Sequence, residues 1–125
     1  MTAIKISSSN QLNKKAIEIK CPVAYTLHKI GGRWKARVIN QLLSGAKRYS
    51  ELRKSLSPIT EKMLIQTLKE LESDGIITRH TFEVIPPHVE YDLTELGHEL
   101  KPVLMAMIQW GLKHNKKEKS SIGVA

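Results

Sequence analysis

The sequence is that of a mainly α domain with one small antiparallel β-hairpin, and three observations predict it. Apolar residues recur at helical spacing through most of the chain, as Leu64, Leu68 and Leu71 do. That period breaks between Ile76 and Leu93. There "IITRHTFEV" and "HVEYDL" are rich in β-formers and are separated by Pro86-Pro87, which cannot donate ladder hydrogen bonds and so mark a turn. Finally, 125 residues make one compact domain with a modest core.

The first twenty residues are polar and weakly patterned, which predicts an arm or a loosely docked helix over 1–20. Helical periodicity starts after Cys21-Pro22, with Val23, Leu27 and Ile30 on one stripe and Gly31-Gly32 as the stop. A second helix runs from about Trp34, placing Trp34, Val38, Ile39, Leu42 and Leu43 on one face before Ser44-Gly45. Ser50 reads as the N-cap of a third helix, "ELRKSL", which buries Leu52 and Leu56. Thr60 caps a fourth, with Glu61 in the first turn where negative charge suits the helix dipole, and Gly75 ends it. After the hairpin, Thr94 caps a long helix reaching about His114, with Pro102 as a kink or restart. The lysine-rich residues 115–125 form a basic tail.

A tight helix-turn-helix followed by two strands is the winged form of that motif. Its second helix, here Thr60–Asp74, projects outward with a free face that fits the DNA major groove. At about 100° per residue, Lys62, Gln66 and Lys69 lie opposite the leucine stripe. An isolated amphipathic helix shows such a face to water alone. In this position, Gln66 suits an adenine edge, Lys62 and Lys69 suit guanine acceptors or phosphate, and Met63 and Thr67 suit thymine methyls.

Charge points the same way. The chain carries a net +8, and residues 29–69 alone hold ten basic side chains against Glu51 and Glu61. Residues 70–101 hold eight acids against Arg79 and Lys101. A chain polarised in this way favours a polyanionic partner. Arg33, Lys35, Lys47 and Arg48 stand near helix starts or in connections; each alone reads as solvated, and as a group they form a clamp for the DNA backbone. Backbone N–H groups at the helix starts marked by Ser50 and Thr60 are further phosphate ligands.

Other classes find little support. No apolar run reaches about 18 residues, and the N-terminus lacks the apolar stretch of a secretion signal, so a cytoplasmic protein with no membrane partner is expected. One cysteine, Cys21, excludes an intrachain disulfide and argues against a cysteine-based zinc site. The five histidines show no metal-ligand spacing, and there is no phosphate loop or activated nucleophile, so neither an enzyme nor a cofactor is expected.

Four blocks, "CPVAYTLHKIGGRWKARVINQLL", "KRYSELRKSL", "ITEKMLIQTLKELESDGII" and "IPPHVEYDLTELGHEL", resemble successive blocks of the HxlR-type family, a MarR-like branch of winged-helix transcription regulators, in that family's order. The likeness covers residues 21–114. It implies a homodimer on a palindromic or pseudo-palindromic operator, with the 60–74 helix in the major groove and the hairpin as wing. At the wing tip the family commonly carries Arg or Lys, whereas this chain has His88 between Glu83 and Glu90, which implies a weaker minor-groove contact. Some members of the family sense oxidants or electrophiles through a cysteine at the place of Cys21, so a small-molecule or oxidant effector is an expectation. Cys21, at a helix start beside Lys20, has the surroundings of a reactive thiol, although a small buried hydrophobe is the plainer reading. The chain has no cysteine near its C-terminus, which limits the redox schemes open to it.

The last helix, "PVLMAMIQWGL", is apolar over most of its circumference, too wide a stripe for one small core. Val103, Leu104, Met107, Ile108 and Trp110 are therefore candidates for a dimer seam, with the first helix as an additional contact. The competing functions are a winged-helix protein-docking module and a non-specific nucleic-acid-binding protein.

Overall fold

A computed structural model describes residues 20–115, so the arm over 1–20 and the tail over 115–125 lie outside the described residues except for Lys20 and Asn115. In chain order the elements are α1 (Pro22–Ile30), α2 (Lys35–Leu42), β1 (Lys47–Arg48), α3 (Tyr49–Ser55), α4 (Glu61–Ser73), β2 (Ile77–Phe82), β3 (His88–Leu93), α5 (Glu95–His98) and α6 (Lys101–His114). The winged helix-turn-helix expected from the sequence is present. The sheet has one strand more than the hairpin. β1 joins it antiparallel to β3, pairing Lys47 with Tyr91 and Arg48 with Glu90, to give the order β1-β3-β2. Two residues are too short for an alternating pattern to announce a strand.

The core gathers residues from seven elements: Ile30 of α1, Val38, Ile39 and Leu42 of α2, Leu52 of α3, Leu64, Leu68 and Leu71 of α4, Ile77 of β2, Tyr91 and Leu93 of β3, and Leu104 of α6. The α3–α4 turn adds buried Leu56 and Ile59, which fixes the angle of α4 against the rest. At the far end of α4, Ile76 N donates to Leu71 O at 3.0 Å and Gly75 N to Glu72 O at 3.0 Å. Gly75 takes a φ of +74°, the left-handed geometry that this paired closure needs, and Ile76 enters the core directly behind it. α4 is thus held at both ends, since Thr60 Oγ1 accepts from Met63 N at 3.1 Å.

Four sequence expectations need correction. Ser50 is not a cap: α3 begins one residue earlier, and Glu51 Oε1 accepts the Arg48 backbone N–H at 2.8 Å, closing that end from inside the helix. The long C-terminal helix is two. Thr94 caps the single turn of α5, with Gly97 N donating to its hydroxyl at 3.0 Å, and Pro102 opens α6 in its first turn. Gly97 lies so close to the carbonyl of Ile76 that a Cβ there would collide with it, which holds α5 against the base of the sheet. Leu104, expected in a seam, is 3% exposed and belongs to the core of its own chain. Thr67, expected in the groove, is 2% exposed, and its hydroxyl donates to Met63 O at 2.7 Å.

α6 therefore splits its apolar residues between two directions. Leu104, with Leu100 just before the helix, packs on the core, and Ile108 is half-buried. Val103, Met107 and Trp110 point outward, Trp110 being 69% exposed. Val23 and Leu27 of α1 are exposed as well, so only Ile30 of the expected α1 stripe enters the core. Among the described residues no helix is long and apolar enough to cross a membrane.

Candidate nucleic-acid interface

With Leu64, Thr67, Leu68 and Leu71 turned inward, the exposed side of α4 is a ridge of Lys62, Gln66 and Lys69, edged by Ile65 on one flank and Met63 on the other. Neither lysine forms an ion pair among the described residues. Their charge is left for an external partner.

A cleft runs along each flank. The larger, about 740 Å³, lies between α4 and the sheet and brings together Arg48, Ser50, Ile65, Lys69, Arg79 and His88. The smaller, about 410 Å³, lies towards α2 and is lined by Arg33, Trp34, Arg37, Thr60 and Met63. Both arginines of this second cleft sit over the Trp34 indole, Arg37 at 4.6 Å from the ring centroid and Arg33 at 6.0 Å. That stacking orients the guanidinium groups without neutralising them. The result is a ridge of cations and one amide between two furrows in which cations predominate, the larger also holding Glu72.

The structure thus brings most of the expected residues to one side. Arg33, Arg48, Ser50, Thr60, Lys62, Met63, Gln66, Lys69 and His88 lie on the ridge or in the furrows. Lys47 is spoken for locally, donating to Ser44 Oγ at 3.0 Å. Lys35 does not face outward as a phosphate clamp: its ammonium is 3.1 Å from Glu70 Oε1 and 3.3 Å from the carbonyl of His28. Gln66 Nε2 donates to the other oxygen of the same carboxylate at 2.6 Å. The Gln66 bond, then Lys35, hold the Glu70 carboxyl below the usual carboxylate range.

His88 is drawn back from the wing tip. It stacks on Phe82 at 4.8 Å between centroids, and its Nε2 lies 2.9 Å from Glu90 Oε2, so the ring closes the last strand pair before the turn and faces the larger cleft. The tip itself is apolar: Ile85 is 99% exposed, beside exposed Val84, Pro86 and Pro87. Burial, then the charge of Glu61, push the Tyr49 hydroxyl above its ordinary value, so it stays a neutral part of the cleft wall.

Reading the sequence missed Ile65, Arg37 and Arg79. Arg37 follows Trp34 by three residues on a helix, which was signal enough to stack it there. Arg79 stands almost alone among acids, and only the pairing of β2 with β3 carries it to the cleft.

Comparison with known proteins agrees with this geometry. The family model for the HxlR-like helix-turn-helix matches residues 29–119. The chain is 46% identical over 101 residues to YkvN, an uncharacterized HTH-type transcriptional regulator of Bacillus subtilis (strain 168), covering 81% of this chain and 86% of that one. Among solved structures, the redox regulator HypR in its oxidized form superposes with a TM-score of 0.72 at 44% identity, over 75% of this chain and 97% of that one. The putative HTH-type transcriptional regulator ytcD superposes with a TM-score of 0.70 at 46% identity, over 74% and 94%. The matched span takes in the whole of the ridge and both clefts, and on these grounds the chain belongs to the HxlR-like helix-turn-helix family of transcriptional regulators.

Proposed function

We propose that the protein acts as a homodimer that reads a pseudo-palindromic operator, each chain laying α4 in a major groove. The observation that carries this reading is the cationic ridge of Lys62 and Lys69 around Gln66, its lysines without an ion pair among the described residues, flanked by two furrows that hold Arg33, Arg37, Arg48 and Arg79. Cations in the furrows suit the phosphates on either side of a groove, while the ridge suits base edges. The outward face of α6, Val103, Met107 and Trp110, with exposed Val23 and Leu27 of α1, supplies the apolar surface for a two-fold seam. Such a pair sets its reading helices about 34 Å apart, one turn of DNA.

Selection of bound duplexes from a random pool at physiological salt tests the reading. The expected product is an inverted repeat with half-site centres about 10 base pairs apart. A pool that yields no enriched sequence contradicts operator recognition.

Response to oxidants or electrophiles through Cys21 is a second reading, favoured by its place. The residue is half-buried at the N-cap of α1, the helix that carries exposed Val23 and Leu27 towards the proposed seam, and the similar HypR is a redox regulator. With one cysteine per chain, a disulfide has to join two chains or a chain and a small thiol. Operator binding before and after mild oxidant, in wild type and Cys21→Ser, checks it. The expected result is a change in the wild type only.

A further inference from the structure

The Lys35–Glu70–Gln66 chain of contacts places an acid beside a surface meant for a polyanion. Glu70 sits one helical turn beyond Gln66 on α4, with one carboxylate oxygen 2.6 Å from Gln66 Nε2 and the other 3.1 Å from Lys35 Nζ of α2. An exposed ion pair adds little to stability, and this carboxylate is 44% exposed, so folding alone gives weak reason for it.

The chemistry of the contact settles how the amide is turned. An ionised carboxylate only accepts hydrogen bonds, so the NH₂ end of the Gln66 amide has to face Glu70 and Oε1 has to face away. One N–H of the amide remains beside that oxygen. Together they make an acceptor and a donor, the complement of the N6 amino group and N7 of adenine in the major groove. Guanine offers two acceptors there, O6 and N7. An unrestrained glutamine satisfies guanine by swinging its NH₂ group round. A glutamine whose NH₂ is held by Glu70 meets guanine O6 with an oxygen, which repels it.

We propose that Glu70, held by Lys35, is a specificity-determining positioning residue that makes Gln66 a reader of adenine and a discriminator against guanine. The inference rests on α4 being the helix that reads DNA. Lys35 has a defined part in it. Its ammonium neutralises a carboxylate that would otherwise repel phosphate, and it holds one oxygen so that the other stays on the amide. Holding the amide in its bound orientation before DNA arrives also removes part of the entropy cost of ordering it.

The test begins with sequences selected from a random pool by the wild type and by Gln66→Ala. The base pair whose preference disappears in Gln66→Ala is the one that Gln66 reads. Four duplexes varied at that pair are then titrated with wild type and Glu70→Ala. The wild type is expected to favour adenine over guanine by about tenfold. Glu70→Ala is expected to bring the two within about twofold, leaving preferences at other positions as they were. A merely structural Glu70 would lower affinity for all four duplexes alike. Thermal melting shows whether the variant folds; should Glu70→Ala not fold, Glu70→Asp takes its place, keeping the charge but withdrawing the carboxylate from the amide. A wild type that prefers guanine at this pair overturns the proposal, as does a folded variant with the wild-type preference. So does Gln66→Ala that loses no position. A wild type with no sequence preference anywhere removes operator reading itself, which separates that failure from this one.

Discussion

Helices α4 and α6 solve the same packing problem and differ in what they leave outside. Each commits residues to the core, Leu64, Leu68 and Leu71 in the first, Leu104 in the second with Leu100 packed against the core just before the helix begins. The opposite side of α4 carries Lys62, Gln66 and Lys69, whereas α6 exposes Val103, Met107 and Trp110 on one flank of Leu104. The buried stripes account for stability, and the outer stripes say which partner each helix suits. A charged ridge matches a polyanion, for which water is a poor substitute at low salt. An apolar ridge matches another apolar surface, because each exposed Å² is unfavourable by roughly 25 cal/mol.

The sharpest way to break this comparison is to exchange inner and outer residues of α6. Leu104→Ala should lower folding stability by about 2–5 kcal/mol, since it opens a cavity under a side chain that is 3% exposed. Met107→Glu should leave the fold of each chain intact and abolish the proposed dimer, read by sedimentation. If Met107→Glu stays dimeric, the seam lies elsewhere.

On α4, Gln66→Ala should cost about 1–3 kcal/mol on the preferred duplex and little on others. Lys69→Ala should weaken all duplexes alike and reduce the slope of log K against log salt by about 1. Titrations on selected and scrambled duplexes separate the two; a uniform loss for Gln66→Ala would mean that the ridge faces phosphate rather than bases.

The end of α4 makes a smaller prediction. Gly75→Ala should cost about 1–2 kcal/mol in thermal or denaturant unfolding, because a left-handed φ of +74° is strained for alanine even though open space surrounds the new methyl.

The least effect concerns acid. Glu70 is held below the usual carboxylate range in the folded chain, first by Gln66 and then by Lys35, so its contribution is full above the unfolded value of about 4.3. It is lost as pH falls through the lower folded value. The melting temperatures of wild type and Glu70→Gln should therefore converge below the ordinary carboxylate range. The gap above it should be small, because a carboxylate 44% exposed is screened by water and salt.

What was legible in the sequence was whatever a period expresses. The leucines of α4, the hairpin around Pro86-Pro87, and the caps Thr60 and Thr94 all stand where spacing puts them. Thr67 was misread by chemistry rather than by geometry: it follows Leu64 by three residues and precedes Leu71 by four, which places it on the buried stripe whatever its hydroxyl suggests. Leu104 was misread because an all-round apolar helix gives no sign of which residues its own chain claims. The commitment of Lys35 to Glu70 spans 35 residues and two helices, and β1 exists only through β3; no local pattern reports either.

The central claim is that the outer face of α4 reads sequence, and the ratio of affinities for a selected and a scrambled duplex tests it most directly. Titrated across salt, the selected duplex should bind about 10³-fold tighter or more at physiological ionic strength. Log K should fall with log salt at a slope of about −5 to −7 for a dimer covering about 6–8 phosphates. Equal affinity for the two duplexes, with the same slope, would contradict the account and leave only a basic surface that binds nucleic acid without reading it.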